Sequence, residues 1–250
     1  MPKSKVSVGV LALQGAFLEH ENHLQNAIRQ SRPTSSLGEK DIKVVEVRTP
    51  EQLASVDALI LPGGESTSIS LIAERTGLLE PLRKFVRVSK KPVWGTCAGL
   101  ILLSDEASKA KKGGQELIGG LHVRCQRNHF GRQTESFMCN LDMPFIGAND
   151  DPFSAVFIRA PIVEKIITER SSASGPIEDV VRAPILDGDS AEWTPVEVIA
   201  SLAESEGTEA GDIVAVRQGN IFGTSFHPEL TPDVRLHEWW LQECVLPALK

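Results

Sequence analysis

The residues best suited to chemistry are Gly95-Thr96-Cys97-Ala98-Gly99, which follow the short apolar run Pro92-Val93-Trp94. Gly-x-Cys-x-Gly at a strand-to-helix junction is the cysteine counterpart of the Gly-x-Ser-x-Gly nucleophile elbow. The spacing predicts a tight turn at Gly95 and re-entry into a helix at Ala98. Such a bend leaves no room for a β-carbon at its flanks, which is why glycines suit it. It would project the Cys97 sulfur at the strand's C-terminal edge and aim the Ala98 N–H and the helix start at whatever binds there. Those dipoles favour negative charge, so they would lower the thiol pKa and supply part of an oxyanion hole. A small buried cysteine at a packed junction fits the same five residues.

A cysteine nucleophile wants a histidine to take its proton and a third group to orient that histidine. Of the six histidines, His227 stands where the strand character of Gly223-Thr224-Ser225-Phe226 gives way to Pro228-Glu229. Proline fixes the chain just past the imidazole, and Glu229, two residues on, could face the same direction in an extended segment. His-Pro-Glu alone suits a surface turn equally well. Cys97, His227 and Glu229 gain weight together, because both stretches fall at strand ends.

The elements that must position them read as follows. Val6 to Leu13 is a strand apolar enough to be buried on both faces. Gln14-Gly15 makes a turn into a helix from Phe17 to Arg29. Ser31 to Asp41 reads as an exposed loop. Ile42 to Val47 is a second strand, Thr49-Pro50 a capped helix start, and Asp57 to Pro62 a third strand. Gly63-Gly64-Glu65 follows it, then helical spacing over Ile69–Ala73 and Leu78–Val88. Alternation of this kind predicts a helix-flanked, mainly parallel α/β sheet, whose working residues gather at the carboxyl ends of strands. Further strands are expected over Leu117–Gln126, Glu135–Leu141, Ala155–Ile158 and Val196–Leu202. A hairpin is expected from Ile213–Arg217 and Ile221–Phe226, and a helix from Asp233 to Leu246. Glu169 to Glu192 reads as an exposed excursion.

At 250 residues, the chain suits one α/β domain spanning 1–250. Its formal net charge of −7 disfavours a nucleic-acid footprint, which wants a basic face. No run approaches the ~18 apolar residues of a membrane span. The first residues lack the apolar core of a signal peptide. Four cysteines without a Cys-x-x-Cys pair suit reduced thiols in a cytoplasmic protein, with Cys125, Cys139 and Cys244 as packing residues.

Gly95-Thr96-Cys97-Ala98-Gly99 with Phe226-His227-Pro228-Glu229 resembles the class I glutamine amidotransferase family and its Cys–His–Glu triad. Further stretches narrow the likeness to the glutaminase subunits of pyridoxal 5′-phosphate synthases. They are Leu11 to Ala16, Leu61 to Thr67, Arg127 to Gln133, Phe157 to Pro161 and Ser225 to Thr231. The resemblance implies that Cys97 attacks the side-chain amide of L-glutamine, and that His227, held by Glu229, protonates the departing ammonia. Water would then hydrolyse the γ-glutamyl thioester. The ammonia would pass to a separate (β/α)8-barrel synthase subunit for vitamin B6 biosynthesis. No cofactor and no metal are implied.

By the same resemblance, L-glutamine would be bound by Gly63, Gly64, Glu65, Arg127, Ile158 (through its main chain) and Arg159, with Gly64 and Ala98 forming the oxyanion hole. Each has a plainer rival: a strand-to-helix turn for the glycines, an acidic helix-cap neighbour for Glu65, solvated surface arginines for Arg127 and Arg159. Gln14 would modulate the site from its turn, and no catalytic role is given to His129 or Arg132. The stretches 31–41 and 169–212 look like loop insertions relative to compact bacterial members. Two other readings stand beside this one. The first is a glutaminase serving a different synthase, against which Ile158-Arg159-Ala160-Pro161 argues. The second is a non-catalytic scaffold or redox sensor built on Cys97, against which His227-Pro228-Glu229 argues.

Overall fold

The computed structural model describes residues 5–31, 37–38, 40–109, 115–130, 136–146, 151–169, 179–189, 194–203 and 211–249. The first hundred residues alternate as the pattern predicts, with two helices between the third and fourth strands. They run β1 (Lys5–Leu11), α1 (Phe17–Gln30), β2 (Asp41–Val47), α2 (Pro50–Ala54), β3 (Ala58–Leu61), α3 (Ser66–Arg75), α4 (Leu79–Arg87), β4 (Val93–Thr96) and α5 (Ala98–Leu103). Thr49 caps α2 in a capping box with Gln52, and Pro50 opens the helix where its missing N–H costs nothing.

The second half supplies β5 (Ser104–Ser108), β6 (Leu121–Gln126), β7 (Phe137–Leu141), β8 (Phe153–Phe157), β9 (Ile162–Ile166), β10 (Val180–Arg182), β11 (Glu197–Ser201), β12 (Ile213–Gln218) and β13 (Ile221–Thr224). Helix α6 (Arg235–Trp240) continues through a π-helical stretch, Leu241–Val245, into a last turn at Leu246–Ala248. The large sheet runs β2-β1-β3-β4-β13-β12-β9-β6-β5-β10, with β11 also paired to β12, while β7 and β8 form a separate ribbon. From β2 to β13 every pairing is parallel; beyond β13 the sheet is mostly antiparallel. This is the mixed, mainly parallel helix-flanked sheet expected.

Alternation along the central strands divides the interior in two. Ala58 and Ile60 of β3 and Trp94 of β4 face a core with α1 and the C-terminal helix. Leu59, Leu61 and Val93 face a second core with α2 to α5. A strand buried on both faces must be apolar at every position, which is why these short runs look continuous in sequence.

Several expectations are corrected. The first strand stops at Leu11 and β6 begins at Leu121 rather than Leu117. Strand β5, Ser-Asp-Glu-Ala-Ser, carries no apolar signal; its Glu106 is satisfied by Arg124 of β6 and Arg182 of β10 across the sheet. Strand β9 begins directly after Pro161. Within the stretch expected to be an exposed excursion, β10 joins the sheet edge, and Arg87 holds Asp189 in an ion pair with both side chains largely buried. Within 31–41, Leu37 is buried in the core. The remainder of those two stretches at 32–36, 39, 170–178 and 190–192 lies outside the described residues. No helix among the described residues is long and apolar enough to cross a membrane.

Candidate active site

Strands β4 and β13 run parallel with Gly95 opposite Gly223 and Thr96 opposite Thr224, so both end at one edge. Cys97 then donates its N–H to the Thr224 carbonyl at 2.8 Å, locking the elbow to the segment that leads to His227. Its backbone stands at φ +47°, ψ −98°, an unusual conformation for a residue with a side chain. Strain of this kind persists only where the surroundings enforce it. Here they do: a β-carbon on Gly99 would run into the Leu61 carbonyl, and one on Gly95 would come within 2.5 Å of the Gly99 backbone. The elbow read from the sequence is therefore present, with helix α5 starting at Ala98.

His227 leaves β13 through Ser225-Phe226 and donates its N–H to the Val156 carbonyl at 2.8 Å. Its ring Nδ1 lies 2.7 Å from Glu229 Oε1, and the Cys97 side chain hydrogen-bonds the same imidazole. Since Nδ1 is taken by the carboxylate, Nε2 is the nitrogen left for sulfur. Burial alone would push the imidazole down. The hydrogen bonds to Cys97 and Glu229, and the negative charge on both, outweigh it and push His227 up to about 10. Burial likewise works to raise the Glu229 carboxyl, but the facing His20 and His227 imidazoles hold it below its ordinary value. The balance favours the protonated imidazole, a proton donor set between a sulfur and a carboxylate.

The loop after β3 closes over this group. A β-carbon on Gly63 would overlap the His227 ring, so the glycine is required by the imidazole itself. Gln14 Oε1 accepts the Glu65 N–H at 2.8 Å, and a β-carbon on Gly64 would crowd the same oxygen at 2.5 Å. Gln14 thus braces the loop from the β1–α1 turn. Glu65 is the N-cap of α3, accepting from Thr67 N at 3.0 Å and from Ser68 N at 2.7 Å. The plainer reading of Glu65 as an acidic cap is thereby realised, and its carboxylate also stands 3.6 Å from Arg127.

Arg127 is mostly buried, and burial, opposed by Glu65 and reinforced by the charge of Arg159, lowers its guanidinium. The two guanidinium groups are near enough for their charges to oppose one another. Arg159 takes φ +48°, one of five non-glycine residues at positive φ among the described residues, directly after Ile158. The charges of Glu65 and Arg159 thus both reach Arg127, the first attracting it and the second opposing it. His129 is paired with Asp212 at 3.0 Å; Arg132 lies outside the described residues.

Two kinds of residue escaped the sequence. Gln115 receives Ser66 Oγ at 2.9 Å and Arg127 Nη1 at 2.6 Å, placing a buried amide under the arginine. His20 of α1 sits 3.3 Å from the second Glu229 oxygen. Neither carries a local motif. No group of three or more metal-ligating side chains occurs among the described residues.

A family model described as the SNO glutamine amidotransferase family matches residues 10–183 and 177–246. The chain is 42% identical to the pyridoxal 5′-phosphate synthase subunit PdxT of Herpetosiphon aurantiacus, over 94% of this chain and 99% of that one. It is 42% identical to the pyridoxal 5′-phosphate synthase subunit SNO1 of Saccharomyces cerevisiae, over 97% and 95%. A solved structure described as a glutamine amidotransferase superposes with TM-score 0.67 at 36% identity, covering 94% of this chain and 96% of that one.

Proposed function

The chain belongs to the SNO glutamine amidotransferase family, and from that premise we propose how its residues carry out the reaction. It hydrolyses L-glutamine to L-glutamate and ammonia and works with a synthase subunit that uses the ammonia to build pyridoxal 5′-phosphate. Cys97 attacks the side-chain amide carbon as a thiolate whose proton already sits on His227; the oxyanion that forms takes the N–H groups of Gly64 and Ala98. His227 gives its proton to the departing ammonia, leaving a γ-glutamyl thioester on Cys97. The neutral imidazole then takes a proton from water, which attacks the thioester and releases glutamate. Glu229 keeps the imidazole aligned in both halves.

Arg127 and Arg159 hold the α-carboxylate of glutamine, with the Ile158 main chain, Gly63, Gly64 and the remaining acceptor capacity of Glu65 completing its pocket. The partner we infer is a (β/α)8-barrel subunit, and the chain works in the cytoplasm as one domain over 1–250, carrying insertions near 31–41 and 169–212. No cofactor or metal enters this mechanism. The observation that supports it most is the His227 imidazole bonded to both Cys97 and Glu229. Glutamate release from L-glutamine, with and without a pyridoxal 5′-phosphate synthase subunit, tests it. Release accelerated by that subunit and lost in Cys97→Ala is expected; release indifferent to the subunit would reopen the choice of synthase.

A further inference from the structure

Resting on the glutaminase reading, we propose that His20 is a positioning residue that carries its hydrogen on Nε2, beside the second oxygen of Glu229, and is held in that tautomer by His237. Both imidazoles are fully buried, one on α1 and the other on α6. His20 Nδ1 lies 2.9 Å from His237 Nε2, while His20 Nε2 lies 3.3 Å from Glu229 Oε2 and 3.1 Å from Thr96 Oγ1. Two neutral rings joined by one hydrogen bond admit two proton arrangements.

If His20 donated from Nδ1, its bare Nε2 could accept from Thr96 Oγ1 but would also face Glu229 Oε2, a buried anionic oxygen with no hydrogen-bond partner among the described residues. His237 would then carry a hydrogen on Nδ1, which is likewise buried without a partner. Both consequences are unfavourable, since orphaned buried donors are rarer than orphaned acceptors. If His237 donates instead, its Nδ1 is only a bare lone pair, and His20 carries an N–H that bonds Thr96 Oγ1 and stands beside the carboxylate. The two orphan atoms thus select the same tautomer. Glu229 then stands between two imidazoles, with Oε1 on His227 and Oε2 facing His20.

Burial, opposed by Glu229, holds His20 down at about 4, so it meets the carboxylate as a neutral donor. The titratable groups around it are Glu229, His227, His23, Glu19 and His237. Trp94 lies against both rings, with centroids 5.8 Å from His20 and 4.8 Å from His237, and shields the pair from water.

The test compares His20→Leu with His20→Gln, which keeps an N–H near the Nε2 position, in the complex with the synthase subunit. His20→Leu is expected to lower kcat about tenfold or more, the scale on which lost outer-shell partners act, with KM within about twofold. Its alkaline limb in the pH profile should shift, because the carboxylate that holds the His227 proton has lost a neighbour, and His20→Gln should recover most of both. Wild-type kcat and pH profile in His20→Leu, or equal damage in the two variants, would overturn the proposal. Nitrogen NMR of the wild-type rings gives a readout independent of turnover and of the variants' folding. A hydrogen on His20 Nε2 at neutral pH is expected, and one on Nδ1 would overturn the proposal. A Cys97→Ala enzyme that still hydrolysed glutamine would instead defeat the glutaminase reading and leave the tautomer standing.

Discussion

At the scale of single residues, the chemistry concentrates in one imidazole. His227 binds sulfur on one side and carboxylate on the other, and each bond raises it. Glu229→Gln removes a hydrogen-bonded charge, so the His227 titration should fall from about 10 toward the ordinary value of 6.5, as followed by NMR of its ring proton. An unchanged titration would mean that Cys97 alone holds the proton. Cys97→Ala should reduce glutamine hydrolysis by at least about 10⁴-fold while the fold is kept, the scale seen when a triad nucleophile is lost. Arg127→Met should raise KM about tenfold or more and leave kcat near wild type, because a carboxylate clamp acts in ground and transition states alike. Cys97, His227 and Glu229 were legible in the sequence because each sits in a short motif at a strand end. His20 was not, since its partner His237 stands 217 positions away and no local spacing connects them.

At the scale of elements, the site depends on how closely backbones approach. The elbow forms because β4 meets α5 with no side chain between Gly99 and the Leu61 carbonyl. Gly99→Ala should therefore destabilise the fold by about 1–3 kcal/mol or more in urea denaturation, the cost of overpacking against backbone that cannot step aside. Gly77, where an added β-carbon meets nothing within 4 Å, provides the contrast in space, although its φ of +71° carries a strain of its own. The parallel half of the sheet was legible because strands buried on both faces are apolar throughout, and their helices carry caps such as Thr49 and Pro50. The antiparallel half was less so. Strand β5 is polar and exists because Glu106 finds Arg124 and Arg182 on either side, pairings that only the assembled sheet creates.

At the scale of the whole molecule, burying this set of imidazoles and carboxylates ties stability to pH. His227 is raised on folding, so its contribution is complete below about 6.5 and is lost as pH climbs through about 10. His20 is lowered, so its contribution is complete above about 6.5 and is lost as pH falls through about 4. Glu229, also lowered, adds to the loss on the acid side. From these groups stability should peak near pH 6.5, and His227→Asn should remove the alkaline loss in denaturation measured across pH. Farther out, Arg87 and Asp189 bind the 179–189 segment to α4. Asp189→Ala, which leaves a buried guanidinium without its carboxylate, should cost about 3 kcal/mol. The sequence around Asp189 looked like a polar excursion because a charge paired in the interior and one bathed in water are spelled by the same letter.

The measurement closest to the central claim is capture of the covalent intermediate. Isotopically labelled L-glutamine, mixed with the chain and its synthase subunit and quenched in acid, should leave a γ-glutamyl group on the peptide containing Cys97, lost in Cys97→Ala. Label on another residue, or turnover with no label on Cys97 at any quench time, would contradict a cysteine thioester as the route by which this protein releases ammonia.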